Sequence, residues 1–285
     1  MGFALQEIVS FLQNFDCLPS PVPLKNYMAA KLADPEISLG DAVAVVKLDP
    51  CSLGRVLKVA NSISKRSHCS VSSVDNAVSL LGLTKIKSVV SISHTVVPSQ
   101  NETEIPFALE RFWKHSLAVA VISESIAKQM IRYKTLDTEA VYAAGLLHDT
   151  GKIALCSVKP ELVTKSVIKC SEKPFCETES EQYSHSMVGG MVAAAWKLPK
   201  DIKTAIEYHH APSVQDDLGY LSSIVHVADV AAHIVGFATI EDECVNPLDA
   251  DAFSCLGIQM ESLRVIASSA LSRIKTIESQ VEQFR

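Results

Sequence analysis

Apolar residues recur every three or four positions along almost the whole chain, and runs that alternate apolar with polar residues are rare. That period belongs to helices that bury one face, so the pattern predicts an all-α protein. Ser38 is placed to cap a helix through Ala42, Val45 and Val46, and Pro50 to open the next, through Leu53, Val56, Leu57 and Ala60. Asp137 is placed to cap a helix over Thr138 to Asp149, which Gly151 is expected to stop. The last helix, Met260 to Val281, carries an apolar stripe of Leu263, Ile266, Ala270, Ile274, Ile277 and Val281. The stripe is expected to pack on the protein's own core, with a homodimer seam as its alternative use. The longest polar interruption, Pro98 to Pro106, divides an N-terminal helical part (1–98) from a helical domain (106–240) and a C-terminal helical extension (241–285).

Composition narrows the class. Of 285 residues, 48% are hydrophobic and 20% charged, which excludes an intrinsically disordered chain. The mean hydropathy of +0.20 raises the question of a membrane. Apolar runs such as Leu117 to Ile122 stop far short of the ~20 residues a spanning helix needs. The first residues carry no basic region ahead of an apolar stretch, and Gln6 stands where a myristoylation motif needs Ser or Thr. The expected location is therefore cytoplasmic, with no membrane partner. Eight cysteines without any C-x-x-C spacing point to reduced, mostly buried thiols rather than a disulfide frame or thiolate zinc site. A net charge of −6 offers no electrostatic footprint for a nucleic-acid backbone, so no nucleic-acid partner is expected.

The candidate chemistry lies in the second half, where histidines fall on apolar helix faces. His115 shares a face with Ala118, Val119, Ile122 and Ile126, and His185 lines up with Gly189, Val192 and Trp196. Gly189 would permit close approach of another backbone. His209 follows Ile202 and Ile206 on one stripe, with His210 beside it, and Asp229 shares a face with Val225 and Ala232. His148 and Asp149 are expected in a last helical turn, where a carboxylate meets the negative end of the dipole at a cost of roughly 0.3–1 kcal/mol. Taken singly, each has a plain structural explanation. A histidine on an apolar stripe commonly bonds a carbonyl, and Asp229 could simply pair with His226 or His233 on its own helix. His68 and His94 are isolated and carry no functional expectation. Taken together, two carboxylates and five histidines facing one interior must all be desolvated, and divalent cations would bind them all. Neutral imidazole with carboxylate suits iron, manganese, zinc, nickel or cobalt.

The run Glu139 to Lys152, with His148-Asp149 near its end, resembles the signature of the HD superfamily of metal-dependent phosphohydrolases. Phe112 to Ala118 is similar to the helix that supplies that superfamily's first histidine. Upstream, Leu48 to Ser62 and Asn76 to Gly82 resemble the HDOD branch, and the likeness continues through His185 to Gly189, Trp196 to Pro199, Ala205 to Pro212 and His226 to Asp229. It spans roughly Leu18 to His233. The resemblance implies an HD-type helical bundle with an N-terminal helical subdomain. It also carries a metal-ligand set, by way of the related HD-GYP proteins, onto His115, His148, Asp149, His185, His209, His210 and Asp229, with Lys152 near the phosphate. The glutamate those relatives use for a third metal is Arg111 here, so a pair of metals is implied. Their Gly-Tyr-Pro substrate loop has only a partial echo in Gly219-Tyr220-Leu221, and specificity for a cyclic dinucleotide does not carry over.

Two functions follow from the resemblance. As an enzyme, the protein would hydrolyse a phosphate ester or phosphodiester, with Asp149 bridging two cations. His115, His148 and Asp229 would hold one of these, and His185, His209 and His210 the other. Asp149 and Lys152 would be the catalytic residues. As a regulatory module, the helices would be a scaffold whose output passes through a signalling protein partner, and the cluster would be structural or vestigial.

Overall fold

The structure, a computed structural model, describes residues 11–12, 18–64, 70–95, 105–130, 136–180, 183–212 and 219–285. His68, the side chain of His94 and most of the Pro98–Pro106 break lie outside the described residues. The protein is all-α, with no strand among the described residues beyond a lone bridge between Ser180 and Tyr183.

The N-terminal helices are α1 (Val22–Ala33), α2 (Leu39–Val46), α3 (Pro50–Ser64), α4 (Val74–Leu81) and α5 (Leu83–Thr95). Ser38 caps α2 as expected, its hydroxyl accepting from the Asp41 amide at 3.1 Å, and Pro50 opens α3. Asp49, just ahead of Pro50, is buried and fully used. Its carboxylate accepts from the Ser52 amide at 2.9 Å, the Ser52 hydroxyl at 2.7 Å and the Ser20 hydroxyl at 2.7 Å. Buried carboxylates persist when such donors replace water.

The second part is built round α6 (Leu109–Met130), which is buried on nearly every side because its apolar positions run all the way round it. It packs chiefly against α7 (Thr138–Leu147) and α13 (Gly219–Ile234). Beside them, α11 (His185–Ala195) lies between α8 (Thr150–Val158) and α12 (Lys200–Tyr208), with α9 (Pro160–Lys169) and the short α10 (Phe175–Thr178) leading into it. After α14 (Ala250–Cys255), α15 (Met260–Glu282) crosses back onto both α6 and α1. Its predicted stripe is buried or half-buried against the core, so the stripe packs within the protein itself.

Two sequence expectations need correcting. Gly151 does not stop a helix; it lies inside α8. The helix from Asp137 ends at Leu147, with His148 as its C-cap, and Asp149 turns the chain directly into α8. Asp149 therefore precedes the positive end of α8 rather than ending on the negative end of α7, and the expected dipole cost is reversed. Cys51 is disulfide-bonded, whereas Cys156, Cys170, Cys176, Cys244 and Cys255 are free.

The two parts share one core and are pinned by side-chain bonds to the turn after α2. Trp113 donates its indole N–H to the Leu48 carbonyl at 2.7 Å, and Tyr142 donates its hydroxyl to the Lys47 carbonyl at 2.8 Å. Lys47 pairs with Glu139 at 2.5 Å, and Trp196 lies so close over Gly54 that a Cβ there would meet the ring at 2.3 Å. Tyr142→Phe removes one hydroxyl and leaves the Lys47 carbonyl without its donor. A loss of about 1 kcal/mol in urea denaturation is expected; unchanged stability would show that the bond contributes nothing to the junction.

Candidate metal centre

All eight residues singled out in the sequence come together between α6, α7, α8, α11, α12 and α13. His115 lies in the second turn of α6, and its Nδ1 donates to the Phe237 carbonyl at 2.6 Å. His148 and His209 end α7 and α12 in the same manner. Each is a C-cap whose Nδ1 donates to a carbonyl of the last turn, Gly145 and Ile206 respectively, both at 2.8 Å. Those carbonyls lack helical partners, so the ring satisfies a helix end and is fixed by doing so. His185 opens α11, where Ser184 is the cap. Its Nδ1 lies 2.7 Å from Glu179 Oε2, while its amide donates to Oε1 at 2.8 Å.

These outward bonds decide what faces inward. With Nδ1 of these four rings committed outward, their Nε2 atoms are turned inward and offer a lone pair wherever the ring is neutral. His115 and His148 approach to 3.2 Å, His185 and His209 to 3.3 Å, and His185 and His210 to 3.0 Å. Asp149 stands between the groups, with Oδ2 3.5 Å from the Nε2 atoms of both His115 and His148, and Oδ1 3.2 Å from His185 Nε2. Asp229 Oδ1 is 3.3 Å from His115 Nε2 and has no aligned hydrogen-bond donor. The two sets His115–His148–Asp149 and His185–His209–His210 each have the clustering a cation needs, and His115–Asp229–His233 forms a third such group. The donors fit a divalent metal, because a cation can satisfy facing lone pairs and an orphaned carboxylate oxygen together. The imidazole on a carbonyl or carboxylate tether is also how ligand histidines are oriented.

Electrostatics in the dry interior divide the histidines. Burial pulls His148 down to about 4 and His209 and His210 well below the ordinary imidazole value, so these stay neutral. His185 goes the other way. Burial opposes its charge, but Glu179 and Asp149 outweigh it and lift the group to about 9. Burial also works against ionised Asp149 and is outweighed by Lys152, His148 and His185, which hold the carboxyl well below its usual range. Lys152 sits on α8 with Nζ 2.8 Å from Asp149 Oδ2 and 4.7 Å from the centre of the Phe175 ring.

Several residues at the site were not singled out from sequence. Glu179, Glu243 and Asn246 lie in irregular segments where no periodicity marks a buried side chain. Asn246 Nδ2 donates to Asp229 Oδ2 at 3.4 Å and lies 3.3 Å from His210 Nδ1. His233 does pair with Asp229 as its helical spacing allows: its Nδ1 donates to the Asp229 backbone carbonyl at 3.0 Å and lies 3.1 Å from Oδ1 as a charge contact without hydrogen-bond alignment. His226 does not pair with that aspartate; it donates to the His209 carbonyl at 2.8 Å and accepts from the Asp249 amide at 2.9 Å. Arg111 points away from the cluster's chemistry, paired with exposed Glu241 at 3.3 Å. Gly151 explains how α8 reaches α11: a Cβ there would stand 1.8 Å from the His185 carbonyl oxygen and 2.6 Å from the Gly189 amide.

Residues 18–212 match the model of the HDOD domain. The chain belongs to the HDOD family. An uncharacterised protein of Treponema pallidum is 23% identical over 210 residues, covering 70% of this chain and 39% of that protein. The chain thus spans about two-fifths of the length of that curated relative. The MmoQ response regulator from Methylococcus capsulatus has a similar structure, with a TM-score of 0.68 and 21% identity over 89% of this chain and 98% of that one. A candidate phosphohydrolase from Shewanella amazonensis matches with a TM-score of 0.51 and 22% identity, over 98% of this HDOD chain and 96% of its own. Among the described residues, no helix of the HDOD chain is long and apolar enough to cross a membrane.

Two outcomes test this geometry. Gly151→Ala should cost about 3 kcal/mol or more in chemical denaturation, since the overlap is with backbone rather than a movable side chain; a neutral substitution would show that α8 and α11 are not in contact. In chelator-treated protein, charged His185 stabilises the fold fully below about 6.5 and loses that contribution as pH rises through about 9. The melting temperature should therefore fall over that interval, and fall less in Glu179→Gln. Equal pH profiles for the two proteins would remove the Glu179–His185 pair as the cause.

Proposed function

We propose that this HDOD protein is a metal-dependent, phosphohydrolase-like signalling protein whose His/Asp cluster takes a pair of divalent cations and acts on a phosphate ester or phosphodiester of nucleotide type. The reading rests on one observation: four imidazoles are tethered outward through Nδ1, so their Nε2 atoms turn inward in two pairs 3.2 and 3.3 Å apart, with Asp149 3.2–4.0 Å from all four inside a dry interior. His115, His148 and Asp229 would hold one cation and His185, His209 and His210 the other, with Asp149 between them. Bound there, iron, manganese, zinc, nickel or cobalt would supply an activated water at neutral pH and neutralise phosphoryl oxygens. The protein's own groups do the rest. Glu179 keeps His185 aimed inward, the α7 and α12 carbonyls do the same for His148 and His209, and Lys152 offers a fixed positive charge to a phosphoryl oxygen. The Shewanella relative supports the hydrolytic side of this reading, and the response-regulator relative its signalling side.

A second reading has its own support. His115, His148, Asp149, His185, His209 and Asp229 are each no more than 2% exposed, and His210 alone of the seven is part-exposed, so the cluster is nearly closed to solvent. A cation held in such a place would clamp six helices together, and output would pass through a signalling protein partner or a second copy of the chain.

Metal content per chain, measured on protein purified without chelator, tests both readings together with turnover of an aryl phosphodiester. About two cations and metal-dependent turnover are expected in the wild type, and neither in Asp149→Ala. Bound metal without turnover of any phosphate ester leaves the module reading. A folded wild type that refuses manganese, iron and zinc would falsify the metal centre altogether.

A further inference from the structure

Among the carboxylates round the cluster, Asp149 and Asp229 face the imidazoles and Glu179 tethers His185. Glu243 approaches only the outer imidazole of His233, yet its side chain is only 3% exposed. It enters from the irregular segment after α13, next to Asp242, whose φ of 55° marks a tight left-handed turn. The segment is anchored on either side of that inward side chain. The Ile240 amide donates to Glu243 Oε2 at 3.2 Å, the Cys244 amide to the Cys170 carbonyl at 2.8 Å, and the Asn246 side chain to Asp229.

The position Glu243 reaches is a place for an anion. Oε1 lies 3.9 Å from Lys152 Nζ and Oε2 3.5 Å from His233 Nε2, an atom otherwise without a hydrogen-bond partner. Lys152 makes its close contact, 2.8 Å, with Asp149 instead. Glu243 thus stands near two nitrogen groups without bonding closely to either. A phosphoryl oxygen would gain charge-assisted bonds of roughly 2.7–2.9 Å there. The carboxylate holds the place by being tethered, not by the quality of its contacts.

We propose that Glu243 is an internal anion standing in the phosphoryl position beside Lys152 and His233, so that a phosphate group occupies the site only by displacing this carboxylate. The inference rests on the phosphate-binding reading of the cluster and adds a residue that sets the affinity for that ligand. A site filled by its own carboxylate shows a weakened apparent affinity, in proportion to the fraction of molecules in which the carboxylate has moved aside.

The test is a calorimetric titration of the full chain with inorganic phosphate, on metal-loaded and on chelator-treated protein, with metal content measured for every variant. Glu243→Gln keeps the shape and removes the charge, and it should tighten phosphate binding by about tenfold or more. Glu243→Ala should do the same, which guards against a fault peculiar to one variant. Glu241→Gln, at an exposed neighbour, should leave the affinity unchanged, and adding Lys152→Gln to Glu243→Gln should abolish the gain. Equal phosphate affinity in wild type and both Glu243 variants overturns the assignment, as does a gain that survives loss of Lys152. Metal-free protein in every variant would remove the two-cation reading instead. In that case, a Lys152-dependent gain in the chelator-treated titration still supports the role of Glu243, and its absence overturns it.

Discussion

Imidazoles that each spend one nitrogen on a fixed acceptor must present the other to whatever lies inside, and the centre of this protein follows from that constraint. The acceptors are the Phe237, Gly145 and Ile206 carbonyls and the Glu179 carboxylate. Two of the carbonyls belong to last turns of helices, so the ends of α7 and α12 and the direction of their histidines are one arrangement. Where these lone pairs meet Asp149, neutral groups alone leave repulsion and orphaned acceptors, at a cost of a few kcal/mol per unsatisfied buried group. Some positive charge has to reside there. Without metal, charged His185 and Lys152 provide part of it.

The rest of the fold holds that arrangement in register. The Gly151 contact with the His185 carbonyl sets how close α8 comes to α11, and with it the distance from Asp149 to the second group of histidines. The N-terminal helices lie away from the cluster but are not a loose appendage. Trp113 and Tyr142, on the two helices that carry His115 and His148, both reach back to carbonyls of the turn after α2. A displacement of the N-terminal part would therefore be felt by those helices first.

Closure of the site is what separates the alternatives for activity. All the ligand-like groups but part-exposed His210 have almost no solvent contact, and a carboxylate already occupies the neighbourhood of Lys152. An arrangement of this kind favours a tightly held cation, while making entry of a phosphate conditional on displacement of Glu243. HDOD membership establishes the fold; whether the centre turns over a substrate is decided by that local competition.

Much of this was legible in the chain itself. Helical periodicity specified the class, and polar residues on otherwise apolar faces marked His115, His185, His209 and Asp229, because burying an imidazole or carboxylate demands an explanation that a surface residue does not. Side-chain caps at Ser38 and Asp137 were legible for the same local reason: the bonds they make span only three residues or fewer. What the sequence could not display was anything set by contact across helices. Gly151 looked like a stop, since a glycine that ends a helix and one that admits a neighbouring backbone are the same letter. Glu179, Glu243 and Asn246 sit in irregular segments with no period to reveal which way a side chain turns. Their burial, the outward tethers of the histidines and the facing lone pairs exist only once six helices have been packed together, and tertiary structure alone decided them.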